Sequence, residues 1–151
     1  GASLNQEELL QDIVEQLENS KHPVDKFWLE ISEANEIADL RLVGDYLRRI
    51  KEFGGLISLS RFGSGPKSYQ LMRALPVDMI KIDSEFTDNA LASDVDQAMI
   101  RSIVDMAHFL KREVVATKVE SRQALEMLRH LGVDYAQGYV VERPQLLNSL
   151  K

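Results

Sequence analysis

Five short apolar runs, each followed by a segment of helical or turn character, constrain this chain more than any other feature. They are residues 27–31, 56–59, 77–82, 113–119 and 135–141. Runs this short, rich in Ile, Leu and Val, read as strands. Between them the apolar residues recur three and four apart. Residues 33–53 carry them at 37, 40, 43, 47 and 50, then stop at Gly54-Gly55, as a helix C-terminus does. Residues 94–110 and 122–131 read as helices, the second closed by Gly132, and residues 69–74 as a short helix broken by Pro76. A first helix, residues 4–17, has Asn5 as its N-cap with Glu7 and Glu8 in the first turn. Pro144 stands where a terminal helix is expected to begin. Strands alternating with helices predict a parallel sheet, and continuous apolar runs predict that both its faces are covered. The expected class is α/β.

At 151 residues the chain has the length of one domain, and residues 1–151 are read as such. For Gly1-Ala2-Ser3 a cloning remnant and native sequence both stay open. A net charge of -6 argues against a nucleic-acid polymer or an anionic membrane as partner, since each favours a basic surface. A local basic pocket for one anionic ligand remains open. With no cysteine there is neither a disulfide framework nor a zinc-thiolate site, which fits a reducing, cytoplasmic location. His22, His108 and His130 lie too far apart for metal-ligand spacing and read as helix surface or core. No apolar run approaches the ~20 residues of a membrane span, so this segment is expected to make no membrane contact.

In an α/β sheet, chemistry collects at the carboxyl ends of parallel strands. Polar residues stand at each such end: Glu30 and Glu33, Ser60 and Arg61, Lys81 and Asp83, Thr117 and Glu120, and Gln137. Glu30, Glu33, Asp83 and Glu120 together would suit a hard divalent cation, with surface carboxylates as the plainer alternative. Lys81 suits either an ion pair or a phosphate. The stretch from Phe62 to Ser68 has no Walker spacing, because Pro66 precedes Lys67, and Ser68 replaces the third glycine of a dinucleotide loop. It reads as a turn whose glycines permit positive φ, or as a backbone loop near a ligand phosphate. Phe27 and Trp28 read as core.

Several segments stand in a definite order and spacing: Leu29-Glu30-Ile31-Ser32-Glu33, Ser60-Arg61-Phe62-Gly63, Lys81-Ile82-Asp83, Ala116-Thr117-Lys118-Val119-Glu120 and Gln137-Gly138-Tyr139. In this order, with Leu75-Pro76-Val77-Asp78 and Leu131-Gly132, the chain resembles the EAL domain, the family of bacterial cyclic-di-GMP phosphodiesterases. The resemblance runs from about residue 27 to 144. It implies a TIM-like (β/α) barrel, here truncated to about five parallel strands as the C-terminal portion of an EAL domain. An eight-stranded barrel takes about 250 residues. It also implies a two-metal hydrolysis in active members, supported by Mg²⁺ or Mn²⁺. By resemblance Glu30 matches a metal-ligand glutamate and Glu33 a supporting one. Lys81 matches a lysine near the attacking water, Gln137 an active-site glutamine, and Glu120 a loop-supporting glutamate.

The departures bear on activity. Family members usually carry Asp-Asp-Phe-Gly at 60–63 and Ala-Glu-Gly-Val-Glu at 116–120. Ser60 and Arg61 therefore replace two metal-holding aspartates, and Thr117 replaces an active-site glutamate. At ~4 Å and an effective dielectric of about 20, the exchange to Arg61 moves the local energy by several kcal/mol against a metal. The expectation is a degenerate, FimX-like EAL domain with no catalytic residues, no metal and no cofactor. Its candidate ligand-binding residues are Glu30, Arg61, Lys81, Glu120 and Gln137. Expected partners are cyclic-di-GMP in a longer parent, a regulatory protein, and a second copy in a homodimer. The alternatives are a metal-dependent phosphodiesterase yielding the linear dinucleotide, and a regulatory domain that binds only protein.

Overall fold

The computed structural model describes residues 6–20, 27–32, 39–63, 67–137 and 145–146. Chain order gives α1 (Gln6–Glu18), β1 (Phe27–Ser32), α2 (Leu40–Glu52), β2 (Gly55–Phe62), α3 (Ser68–Ala74), β3 (Met79–Ile82), α4 (Ser84–Asn89), a 3-10 turn (Ala90–Ala92), α5 (Asp94–Phe109), β4 (Glu113–Ala116), α6 (Arg122–His130), β5 (Tyr135–Ala136) and β6 (Gln145–Leu146).

Local chemistry sets these boundaries. Asp39 takes an extended conformation and accepts a hydrogen bond from the Leu42 amide at 3.0 Å, so α2 starts at Leu40. The expected helical segment at residues 33–38 lies outside the described residues, as does the Asn5 cap. Along α2, Val43, Leu47 and Ile50 form one buried stripe. Ser93 and Ser121 cap α5 and α6 in the same way as Asp39. The sequence reading placed no element between Ile82 and Asp94, yet α4 forms there. Its signal is Asp83, which accepts from the Glu85 amide at 3.1 Å.

The strands run in sequence order, β1-β2-β3-β4-β5-β6. The first five are mutually parallel, while β6 pairs antiparallel with β5, Ala136 facing Gln145. Residues 145–146 thus form a strand where a helix was expected. Among the described residues β1 has only β2 beside it and β6 only β5, so the sheet has not closed into a barrel.

The expectation of a sheet covered on both faces is corrected. Each parallel strand lies beside its predecessor, and right-handed crossovers then send every connecting helix to one side. Toward that side point Ile31, Ile57, Leu59, Ile80, Ile82, Val114, Ala116 and Ala136, all buried. With Val43, Leu47, Ile50, Met72, Ile100 and Leu128 they form the core. The opposite face is a concavity of about 420 Å³ whose lining includes Trp28, Glu30, Ser58, Met79, Lys81 and Tyr135. Trp28 is therefore 58% exposed, contrary to its reading as core, while its neighbour Phe27 does pack against the core.

Two aspartates that the sequence reading left unassigned bind strand to strand. Asp78 accepts from the Ile57 amide at 2.8 Å and from Lys51 at 2.7 Å. Asp134 accepts from the Val114 amide at 2.8 Å, and its carboxylate lies 2.7 Å from His108 Nε2. Each sits just before a strand and fixes its start against the preceding one. No helix among the described residues is long and apolar enough to cross a membrane.

Candidate functional site

All five parallel strands point their carboxyl ends to one rim, and a cleft of about 860 Å³ lies there. Glu30, Ser32, Ser60, Arg61, Lys81, Asp83, Thr117, Lys118 and Gln137 line it. Four of the five candidate ligand residues are thus brought together: Glu30, Arg61, Lys81 and Gln137. Glu120 is exposed and does not line this cleft, so its inclusion among the ligand contacts is not supported. The reason is local. Strand β4 ends at Ala116, and Val119 turns back into the core, which carries the following residue away from the rim. Glu33 and the Gly65 end of the loop lie outside the described residues.

Arg61 reaches the rim through a register irregularity. Leu59 pairs with Ile80 and Phe62 with Ile82, so β2 holds one residue more than β3 between these pairs. Such a bulge re-aims a side chain. Here Arg61 adopts φ 57, and Phe62 still reaches the core, fully buried, with Tyr69 edge-on at 5.4 Å. Gly63 follows at φ 98, its amide donating to Ser68 Oγ at 3.1 Å. That supports the reading of this stretch as a turn.

Lys81, Glu30, Ser60, Thr117 and Asp83 are already engaged. Lys81 Nζ lies 2.7 Å from Glu30 Oε1, an ion pair between strands that are not neighbours in the sheet. Ser60 Oγ is buried and 3.4 Å from the Ile31 carbonyl, to which it donates. Thr117 Oγ1 donates to the Ile82 carbonyl at 3.2 Å. Asp83 spends one carboxylate oxygen on the α4 cap. Among the described residues no group of three or more His, Asp or Glu side chains converges to hold a metal ion.

Lys118 was not among the candidate contacts, although it lines the cleft and takes φ 55. Its identity beside Thr117, at a strand end, was the available signal. The lining therefore holds three cations, Arg61, Lys81 and Lys118, against the carboxylates Glu30 and Asp83. This is a locally positive site on a chain of net charge -6.

On the concave face the phenol of Tyr135 is held above its ordinary value of 10.0. Its hydrogen bond to Glu113 contributes most, followed by burial and by the charges of Glu113 and Asp134. Because the folded state raises this pKa, the stabilisation is complete below pH 10.0 and is lost as pH rises through the raised value. A phenolate absorbance titration is expected to contain a late-ionising component that Tyr135→Phe removes. Normal ionisation of every tyrosine would contradict the Glu113 contact.

The comparisons with known proteins agree with this geometry. A family model described as EAL domain matches residues 1–144. Over 149 residues the chain is 36% identical to the cyclic di-GMP phosphodiesterase PdeB of Shewanella oneidensis, covering 99% of this chain and 17% of that protein. Over 118 residues it is 33% identical to the cyclic di-GMP phosphodiesterase PdeF of Escherichia coli, covering 78% of this chain and 16% of that protein. The crystal structure of an EAL domain protein from Listeria monocytogenes superposes with a TM-score of 0.78 at 31% identity, covering 95% of this chain and 57% of that one. The FimX EAL domain from Pseudomonas aeruginosa bound to c-di-GMP gives a TM-score of 0.75 at 24% identity, covering 91% of this chain and 57% of that one, a likeness of fold alone. The chain spans about a sixth of these curated relatives and a little over half of these EAL structures.

Proposed function

Because this chain belongs to the EAL-domain family, we infer that it is a catalytically inactive member, a bacterial signalling domain working as a cyclic-di-GMP receptor or protein-interaction module. The observation that carries this reading is the donor set of the cleft. A pair of divalent cations needs several free carboxylate oxygens. Ser60 and Thr117 supply hydroxyls that already donate to backbone carbonyls, and Arg61 supplies a fixed positive charge. Glu30 has one oxygen paired with Lys81, and Asp83 has one engaged in its cap. These residues do not fit a two-metal centre, so no hydrolytic step is derived through one. What remains is a cleft suited to hold an anion. The catalytic reading keeps one observation in its favour, the similarity to relatives named as phosphodiesterases.

Residues 1–151 are proposed as the C-terminal part of an EAL domain, a reading supported by their 57% coverage of the Listeria structure. The opposite wall of a closed barrel is not formed by the described strands. Calorimetry with cyclic-di-GMP is therefore expected to give a dissociation constant weaker than about 1 μM for this chain alone. A submicromolar constant would show that these strands suffice. A protein partner and a cytoplasmic location belong to the same proposal.

The uncovered concave face and the β1 edge support self-association into a homodimer. Trp28 stands exposed on that face beside Met79 and Tyr135, and among the described strands β1 has a neighbour, β2, on one side alone. Tyr135–Ala136 pairs with β6 on its outer side, which leaves β1 as the parallel edge among the described strands. Two-fold closure is the commonest way to hide such a surface. Light scattering at micromolar concentration should return about twice the 17.1 kDa chain mass, and Trp28→Glu should shift it toward one copy. A strict monomer would contradict this part of the proposal.

A further inference from the structure

We propose that Lys118, acting with Arg61 and Lys81, makes the rim of the cleft a phosphate site that works without any divalent ion. The identity of the ligand rests on the receptor reading above; the charge and position of the site do not. Three cations come from three neighbouring strands: Arg61 on β2, Lys81 on β3 and Lys118 just beyond β4. The outer two both adopt left-handed backbone, φ 57 and φ 55, where glycine is the default residue. Two long cationic residues that flank Lys81 in strand order are thus held at one cleft against the local preference of the backbone. Strain of this kind clusters where a ligand is gripped.

The backbone beneath Lys118 is clamped from both sides. The Thr117 carbonyl accepts from Thr87 Oγ1 at 3.1 Å, and the Val119 amide donates to the Gln137 carbonyl at 2.9 Å. The Lys118 side chain is exposed at the rim, and no carboxylate among the described residues pairs with it. Lys81 lines the same cleft, its ammonium shared with Glu30 at 2.7 Å. A lysine ammonium is a compact, mobile point charge suited to phosphate oxygens, and charge-assisted hydrogen bonds to them are the strong kind. The ligand class is an oligophosphate or phosphodiester anion, held where a metal-bearing cleft would use cations from solution.

The test is a ¹⁵N-amide NMR titration with pyrophosphate in the presence of EDTA, run on the wild-type chain and on Lys118→Gly. Glycine suits φ 55, so this variant is expected to fold at least as stably as the wild type. Saturable shifts are expected at Ser32, Asp83, Thr117 and Gln137, with affinity falling about tenfold in Lys118→Gly. Equal affinity in the two proteins, non-saturating shifts, or saturation only after Mg²⁺ is added would each overturn the proposal. Cyclic-di-GMP is titrated in parallel to separate the two ideas. If pyrophosphate binds through Lys118 but cyclic-di-GMP does not bind, the receptor reading falls and the phosphate site stands. If both pyrophosphate and cyclic-di-GMP bind the two proteins equally well, the phosphate site falls and the receptor reading stands.

Discussion

Supplied with cyclic-di-GMP and either Mg²⁺ or Mn²⁺, the purified chain is expected to release linear dinucleotide no faster than protein-free buffer. Two-metal hydrolysis depends on a metal-activated water and on cations that stabilise both the attacking and the leaving oxygen. On the proposed reading the cleft offers Ser60, Arg61 and Thr117 in place of that equipment, with one oxygen of Glu30 paired to Lys81. Losing both cations removes the larger part of a rate enhancement that is commonly at least 10⁶-fold in enzymes. Lys81 and Gln137 remain on the rim, but neither can polarise a phosphodiester as a divalent ion does. Dinucleotide above the protein-free control, abolished by Glu30→Ala, would reverse this conclusion and restore the phosphodiesterase reading.

The largest expected effect on stability belongs to Gly63→Ala. At φ 98 an alanine already costs about 1–2 kcal/mol. Its β-carbon would also stand 2.3 Å from Phe86 Cε2 and 3.1 Å from Cδ2, and that ring packs against the core. Overpacking of this kind adds about 1–3 kcal/mol, for a total of about 2–5 kcal/mol. For a chain of this size each kcal/mol lowers the melting temperature by roughly 2–4 °C. Urea unfolding of Gly63→Ala, Phe86→Ala and the double variant separates the causes. The ring clash predicts that Gly63→Ala costs less once Phe86 is truncated, whereas an unchanged cost would leave only backbone strain.

Much of the architecture was legible because periodicity reports burial. The stripe at Val43, Leu47 and Ile50 and the run Ile57-Ser58-Leu59 each mark an element correctly. What periodicity does not report is which side of a sheet the helices take. Ile57 and Leu59 face helices, yet Ser58 between them is also buried, so the run looked two-sided. Crossover handedness, a property of topology, decides the matter. Trp28 was misread for the same cause, since an aromatic residue on a strand looks like core until one face proves open. Helix α4 was missed because its six residues are too few to display a period, and only the Asp83 cap announces it.

The cleft was legible through strand ends, which is why Glu30, Arg61, Lys81 and Gln137 converge as expected. Glu120 looked equivalent to them in sequence, but β4 ends before it and the chain folds back at Val119. Lys118 went unnoticed because its placement depends on a left-handed turn, and nothing in residue type alone signals one at a lysine. The antiparallel pairing of β6 was equally hidden, a two-residue strand being too short to alternate.

The central claim is that cations of the protein have taken the place of bound metal in this cleft. Paramagnetic broadening of amide resonances during a Mn²⁺ titration tests it most directly. The account predicts only weak, non-saturating broadening spread over the acidic surface, with Ser32, Ser60, Asp83, Thr117 and Gln137 no more affected than residues elsewhere. Saturable broadening of those rim amides at micromolar Mn²⁺, lost in Glu30→Ala, would contradict it.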